Sequence, residues 1–285
     1  MMGILSGMAN LGLGNLANAD IFEDAEKDKA ADTDEKAAAK VQEKDLIYDK
    51  SMECPVCGAK FSTKVMKSGK AKLLHADRDL RPVYEGIDAT KYDVLMCSNC
   101  GNTALSRFFP MMTSMQCKLI RENISKAVRS PVFTGETYSY EDAMTQYQLA
   151  LACAVVKRAK NSEKAYICLK SAWLLRGYAE YLEHDGEYEG NRAAKLKELK
   201  TNEEEYLLNA YNGFVEARQT EGFPMCGMDE VTIDFLVAVL ATRFKKYDVA
   251  GKLVASILTS PSANARTKEK ARELKEELLA ELKKK

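Results

Sequence analysis

Over residues 111–285 apolar side chains recur every three or four positions. Tyr140, Met144, Tyr147, Leu151 and Val155 share one helical face, and Tyr166, Leu169, Trp173, Gly177 and Tyr181 share another. The pattern predicts an all-α region. Ser139 with Asp142, and Thr201 with Glu204, have the spacing of a capping box, in which a side chain three residues into the helix reaches back to the cap amide. Breaks are expected at Pro131, Asp185-Gly186, Gly222-Phe223-Pro224 and Ser260-Pro261. Residues 51–110 follow a different pattern. The short runs FSTKVM, KLLHA and YDVLM are β-formers bounded by turn residues, which predicts antiparallel strands, with Ser68-Gly69 as a hairpin turn between two of them. Residues 1–50 carry neither signature. The charged run from Asp20 to Lys50 has too few apolar anchors to offset the entropy of ordering, so this stretch reads as a mobile charged tail. Ile4, Leu5, Met8, Leu11 and Leu16 would line one side of a short helix that Gly12 and Gly14 weaken.

The helical region carries a partial period. Small Ala238, then Ala250 and Val254, then Pro261 fit one tetratricopeptide-like unit over residues 228–260, in which small residues let two helices pack closely and proline ends the pair. Residues 203–220 fit part of a second unit, without full register. The expected architecture is α+β: a charged tail (1–50), a small antiparallel β module (51–110), and an all-α tetratricopeptide-like helical-repeat domain (111–285).

Composition narrows the function. The 285 residues are 46% hydrophobic, enough for a sizeable core, and 42 basic side chains balance 42 acidic ones, which excludes a strongly basic nucleic-acid binder. No stretch reaches the ~18 apolar residues of a membrane-spanning helix, and the start MMGILSGMANLGLGNL lacks the basic residues of a secretory signal. A soluble, cytoplasmic protein is expected. The chain has no Walker loop, dinucleotide-binding glycine pattern, Gly-x-Ser-x-Gly elbow or His-Glu-x-x-His pair, which argues against the commonest enzyme classes.

The chemistry is concentrated in Cys54-Pro55-Val56-Cys57-Gly58 and Cys97-Ser98-Asn99-Cys100-Gly101. In such a knuckle two intervening residues turn the chain so that both sulfurs face one centre, and the glycine supplies the left-handed backbone that follows. Two knuckles offer four thiolates, a set that suits Zn²⁺ at sulfur distances of about 2.3 Å; iron and thiol chemistry use the same pairs. With Cys54, Cys57, Cys97 and Cys100 all bound, no coordination position stays open for a reactive water, so the zinc would be structural. The stretch between the pairs exceeds the ~15–20 residues of the shortest ribbons and should hold extra strands.

Lys60, Lys64, Lys67, Lys70 and Lys72, with Phe61, Tyr84 and Tyr92, have two readings: a nucleic-acid face with aromatic stacking, or the solvated side of an edge strand. Asp77, Asp79, Glu85, Asp88 and Asp93 follow closely and favour the second. His75 reads as a plain strand residue and His184 as part of a polar loop, although His75 could also serve a metal. Cys117, Cys153, Cys168 and Cys226 lack metal-ligand spacing and read as packing residues. Tyr147, Trp173, Tyr178, Tyr206 and Tyr211 are candidates to line a partner-binding groove, although an aromatic at helical spacing is more often core than contact.

CPVCG at Cys54, RDLRPVYEG from Arg78 and KYDVLMCSNCG from Lys91, followed by helices, resemble the bacterial family known as domain of unknown function 2225. The resemblance implies a zinc ribbon fused to helical repeats and brings no established activity. The expected function is that of a non-enzymatic protein with a structural zinc and a helical surface for a protein or peptide partner; nucleic-acid binding is the alternative.

Overall fold

The computed structural model describes residues 42–128, 131–184 and 188–283. The readings made for residues 1–41 and for Asp185-Gly186 lie outside them.

Three two-stranded antiparallel sheets come first. β1 (Ile47–Glu53) pairs with β2 (Lys60–Met66), β3 (Leu73–Ala76) with β4 (Pro82–Tyr84), and β5 (Val94–Met96) with β6 (Thr103–Leu105). The strands follow from side-chain alternation: in β2, Phe61 and Thr63 are buried while Lys60 and Ser62 face solvent. β1 begins at Ile47, inside the stretch whose charge suggested a tail, because Leu46 and Ile47 turn into an apolar cluster with Ile87, Tyr92 and Tyr138. The expected hairpin at Ser68-Gly69 is corrected. The chain does turn there, with Gly69 at φ +70°. However, β2 takes β1 as its partner and β3 takes β4, so this turn links two sheets.

The helices are α1 (Ser114–Ile120), which continues as a π-helical turn over Arg121–Ser125, α2 (Tyr140–Val156), α3 (Asn161–His184), α4 (Arg192–Thr220), α5 (Glu230–Arg243), α6 (Tyr247–Thr259) and α7 (Ala265–Lys283). The box at the start of α2 is present: Ser139 Oγ accepts from the Asp142 amide at 3.0 Å, and Asp142 Oδ2 accepts from the Ser139 amide at 3.0 Å. The box expected at Thr201 is not. Thr201 lies inside α4, its hydroxyl donating to the Lys197 carbonyl, and the helix starts at Asn191, whose Oδ1 accepts from the Ala194 amide. The helix runs on because Leu199 packs with Leu175, Tyr178 and Leu182 of α3. The breaks after Thr220 and Thr259 fall where glycine and proline put them.

One core runs from α3 to α7 and includes Trp173, Leu207, Phe214, Leu236, Val254 and Leu274; Ala238 and Ala250 are fully buried where helices meet closely. Tyr147, Trp173 and Tyr211 belong to the interior, the commoner place for an aromatic at helical spacing, which removes them as groove candidates. Tyr147 donates its hydroxyl to the Thr90 carbonyl at 3.0 Å.

Charge fixes the β region to the helices. The turn of residues 77–81, with Leu80 at φ +73°, lays Asp77, Asp79 and Arg81 against α3 and α4. Arg176 grips Asp79 with two bonds of 3.0 and 2.7 Å, donates to Asp77 Oδ2 at 3.0 Å, and turns its Nε to Glu203 at 2.8 Å. Arg81 bridges Asp77 and Glu180, each at 2.6 Å. Burial raises the Asp77 carboxyl, but Arg81 and Arg176 together outweigh it and hold the group below the usual carboxylate range. Nearby, Asp88 Oδ1 accepts from the Thr90 amide at 2.9 Å, while buried Oδ2 has no hydrogen-bond partner among the described residues and faces Gly177. Burial pushes the Asp88 carboxyl up. A Cβ on Gly177 would lie 2.3 Å from that oxygen.

Candidate metal centre

Each Cys pair sits on the same backbone device. Cys54 follows β1 and Cys97 follows β5. In the first knuckle the Gly58 amide donates to the Cys54 carbonyl at 2.9 Å and the Cys54 amide to the Ala59 carbonyl at 3.0 Å. In the second the Gly101 amide donates to the Cys97 carbonyl at 2.8 Å and the Cys97 amide to the Asn102 carbonyl at 2.9 Å. Gly58 and Gly101 both stand at φ +71°, where a residue bearing a Cβ is strained.

The two knuckles bring the four sulfurs within 4.8 Å of one another, with Cys54 and Cys100 at 3.6 Å and Cys57 and Cys97 at 3.7 Å. Four sulfurs about 2.3 Å from one ion in a tetrahedron stand roughly 3.8 Å apart, so the cluster is shaped to coordinate a metal. Cys54, Cys97 and Cys100 are buried and Cys57 is exposed. The side-chain amides of Asn99 and Asn102 point at Cys57 and Cys54, at 3.4 and 3.9 Å. The electrostatics of the cluster are uneven. A hydrogen bond from the Cys100 thiol, helped by knuckle amides, draws Cys54 down to about 5 against its burial. Burial pushes Cys97 up to about 11, and donation to Cys54 together with burial pushes Cys100 far higher. Four sulfurs this close, three of them buried, cannot all hold negative charge without a cation between them.

The helices clasp both knuckles. Arg121 Nε donates to the Val56 carbonyl at 2.9 Å, the Cys117 thiol points at the Pro55 carbonyl at 3.5 Å, and the Cys153 thiol points at the Gly101 carbonyl at 3.7 Å. Around them Val56, Phe61, Leu95, Ala104, Phe109, Ile120 and Ile124 form a continuous apolar shell. Val128 lies over Gly101 so closely that a Cβ there would stand 2.2 Å from its Cγ1. Cys117 and Cys153 are packing residues, as expected, but their contacts with the knuckles were not legible in the sequence. Their partners lie 62 and 52 positions away, and no spacing rule reaches that far. Cys168 and Cys226 are buried in the helical core.

The remaining sequence candidates lie elsewhere. His75 is exposed on β3, with its Nε2 3.5 Å from Asp77, and His184 is exposed at the end of α3; neither belongs to the cysteine cluster. Phe61 and Tyr92, which the less favoured nucleic-acid reading would use for stacking, are buried. Phe61 packs on Phe109, and the Tyr92 hydroxyl donates to Glu43 at 2.8 Å. Lys64 pairs with Asp49, and Lys67 donates to the Asp45 carbonyl. Tyr178 and Tyr206 line a groove of about 960 Å³ bordered by α2, α3 and α4. Among the described residues no helix is long and apolar enough to cross a membrane.

No curated protein and no solved structure matches the chain. The model of a family described as an uncharacterized protein conserved in bacteria (DUF2225) matches residues 47–278, from the first strand of the β region into α7, and the chain belongs to that family.

Proposed function

We propose that the protein is a non-enzymatic zinc-binding scaffold: Cys54, Cys57, Cys97 and Cys100 hold a structural Zn²⁺, and the helical domain, read as tetratricopeptide-like, presents a surface to a protein or peptide partner in the cytoplasm. The observation that carries the reading is the convergence of four sulfurs inside a shell that the helices complete. A divalent ion there would neutralise the thiolates and join two β segments that share no sheet. With four sulfur ligands the ion has no position for a water or substrate, so its role is cohesion. The burial of Phe61 and Tyr92 weakens the alternative of nucleic-acid binding, since neither ring can stack on a base.

Elemental analysis of the purified chain tests the metal, with about one zinc per chain expected. Cys97→Ser should lose it, and the near-ultraviolet signal of the β region should change with it. A full-strength fold with no bound metal after purification in zinc would overturn the reading. The partner-binding half is tested by the peptide measurements below.

A further inference from the structure

The groove between α2 and α4 has an internal logic of its own. Along α4, Asn202, Glu205, Asn209, Asn212 and Glu216 line it at spacings of three and four residues, which puts them in one stripe. Along α2, Gln148, Leu151 and Val155 form the opposite wall, and Ala165 and Cys168 of α3 lie between. Val155 is 60% exposed, an apolar side chain left bare inside a concave surface.

The side chains of Asn202, Asn212 and Gln148 make no hydrogen bond with the described residues. Asn209 uses its Nδ2 on the Glu205 carbonyl, which leaves its own oxygen as an acceptor. An amide offers both a donor and an acceptor, the pair that an extended backbone presents along its edge. Acidic side chains outnumber basic ones: Glu141, Glu198, Glu205 and Glu216 stand against Lys164 and Lys195, of which Lys164 has no side-chain partner among the described residues. Lys195 is taken by Glu198 at 3.1 Å, and Glu141 accepts the Tyr178 hydroxyl. Glu205 and Glu216, both exposed, have no side-chain partner among the described residues.

We infer that this groove binds a short extended peptide segment bearing Lys or Arg side chains, a conclusion that rests on the partner-binding reading above and narrows it. From Asn202 to Glu216 the stripe is about 21 Å long at ~1.5 Å per helical residue, which matches about six extended residues at ~3.3 Å each. Glu205 and Glu216 stand roughly 16 Å apart on the same measure, so the two cationic side chains they receive are four to six residues apart in the ligand. The backbone of the segment pairs with the asparagine amides, and a small apolar side chain covers Val155.

The test uses three fluorescein-labelled heptapeptides of leucine and serine that carry two arginines, two glutamines or two glutamates at their second and sixth positions. Fluorescence anisotropy is read on the full chain at physiological salt. The arginine peptide should bind at least tenfold more tightly than the glutamine peptide. Glu205→Lys with Glu216→Lys should reverse the order in favour of the glutamate peptide. Both positions are exposed, and Glu205→Gln, expected to weaken the arginine peptide alone, serves as a milder variant should the reversal disturb the fold. Equal binding of the arginine and glutamine peptides, blocked in both by Val155→Asp, overturns the cationic preference while leaving a partner-binding groove. Failure of all three peptides to bind overturns both.

Discussion

Replacing Arg176 by Met removes the guanidinium that serves Asp79, Asp77 and Glu203 at once, while nearly preserving the length and apolar stem of the side chain. Asp79 and Glu203 are 5% and 6% exposed, so water cannot replace what is lost. Glu203 keeps a contact with Arg243 at 3.5 Å, and Asp77 keeps Arg81 at 2.6 Å, but Asp79 is left with no cation among the described residues. Breaking a buried ion pair by deleting one partner costs about 3–5 kcal/mol, because the remaining charge stays desolvated. That range applies here because Asp79 loses a two-pronged bond. Urea unfolding followed by circular dichroism should show the loss at pH 7.

Asp77 adds a pH dependence of known sign. Its carboxyl is held below the ordinary range in the folded chain, so the stability it contributes is present above the unfolded value and is lost as pH falls through the folded one. Part of that contribution comes from Arg176, so the gap between wild type and Arg176→Met should narrow on acidification. A loss under about 1 kcal/mol at pH 7, the worth of an exposed pair, or a gap that widens in acid, would refute the account of this network.

Gly58 and Gly101 make a matched pair. Both stand in the left-handed region, which costs a residue with a Cβ roughly 1–2 kcal/mol. Gly58→Ala meets open space and should lose only that, whereas Gly101→Ala collides with Val128 and should lower the melting temperature distinctly further; equal losses would remove Val128 from the argument. Asp88→Asn retains a cap acceptor for the Thr90 amide and removes a carboxyl whose folded value burial has raised. An acid raised in this way weakens the fold above that value and not below the unfolded one. The variant should therefore be more stable than wild type at pH 7 and equal to it in strong acid, as read by thermal melts across pH. Tyr147→Phe strips the Thr90 carbonyl of its buried donor and should cost about 1 kcal/mol in urea unfolding.

How much the sequence disclosed depended on the distance over which each interaction acts. The knuckles were legible because four residues and a glycine define them locally, and Ser139 with Asp142 because a cap is complete within one turn. Thr201 with Glu204 shows the same spacing without the structure, since a spacing cannot report that Leu199 already holds the preceding turn against α3. Aromatic periodicity located the helices but not which rings face out: Tyr147 and Tyr206 follow the same rule, and one is interior while the other lines the groove. The charges in RDLRPVYEG gave no warning of their role. Asp79 read only as one of the acids beside the lysines and Arg81 only as part of the motif, since their partners Arg176 and Glu180 lie nearly a hundred positions later.

Two of the contacts that fasten the β region to the helices are of unlike chemistry. One is the thiol and carbonyl clasp that α1 and α2 put around the knuckles, and the other is the arginine lock that α3 and α4 put on the turn of residues 77–81. A part held at several separate places does not swing as a lid on a hinge. Any rearrangement between the two halves must release more than one set of contacts, so salt and acid, which weaken the arginine lock, should loosen that end without detaching the β region.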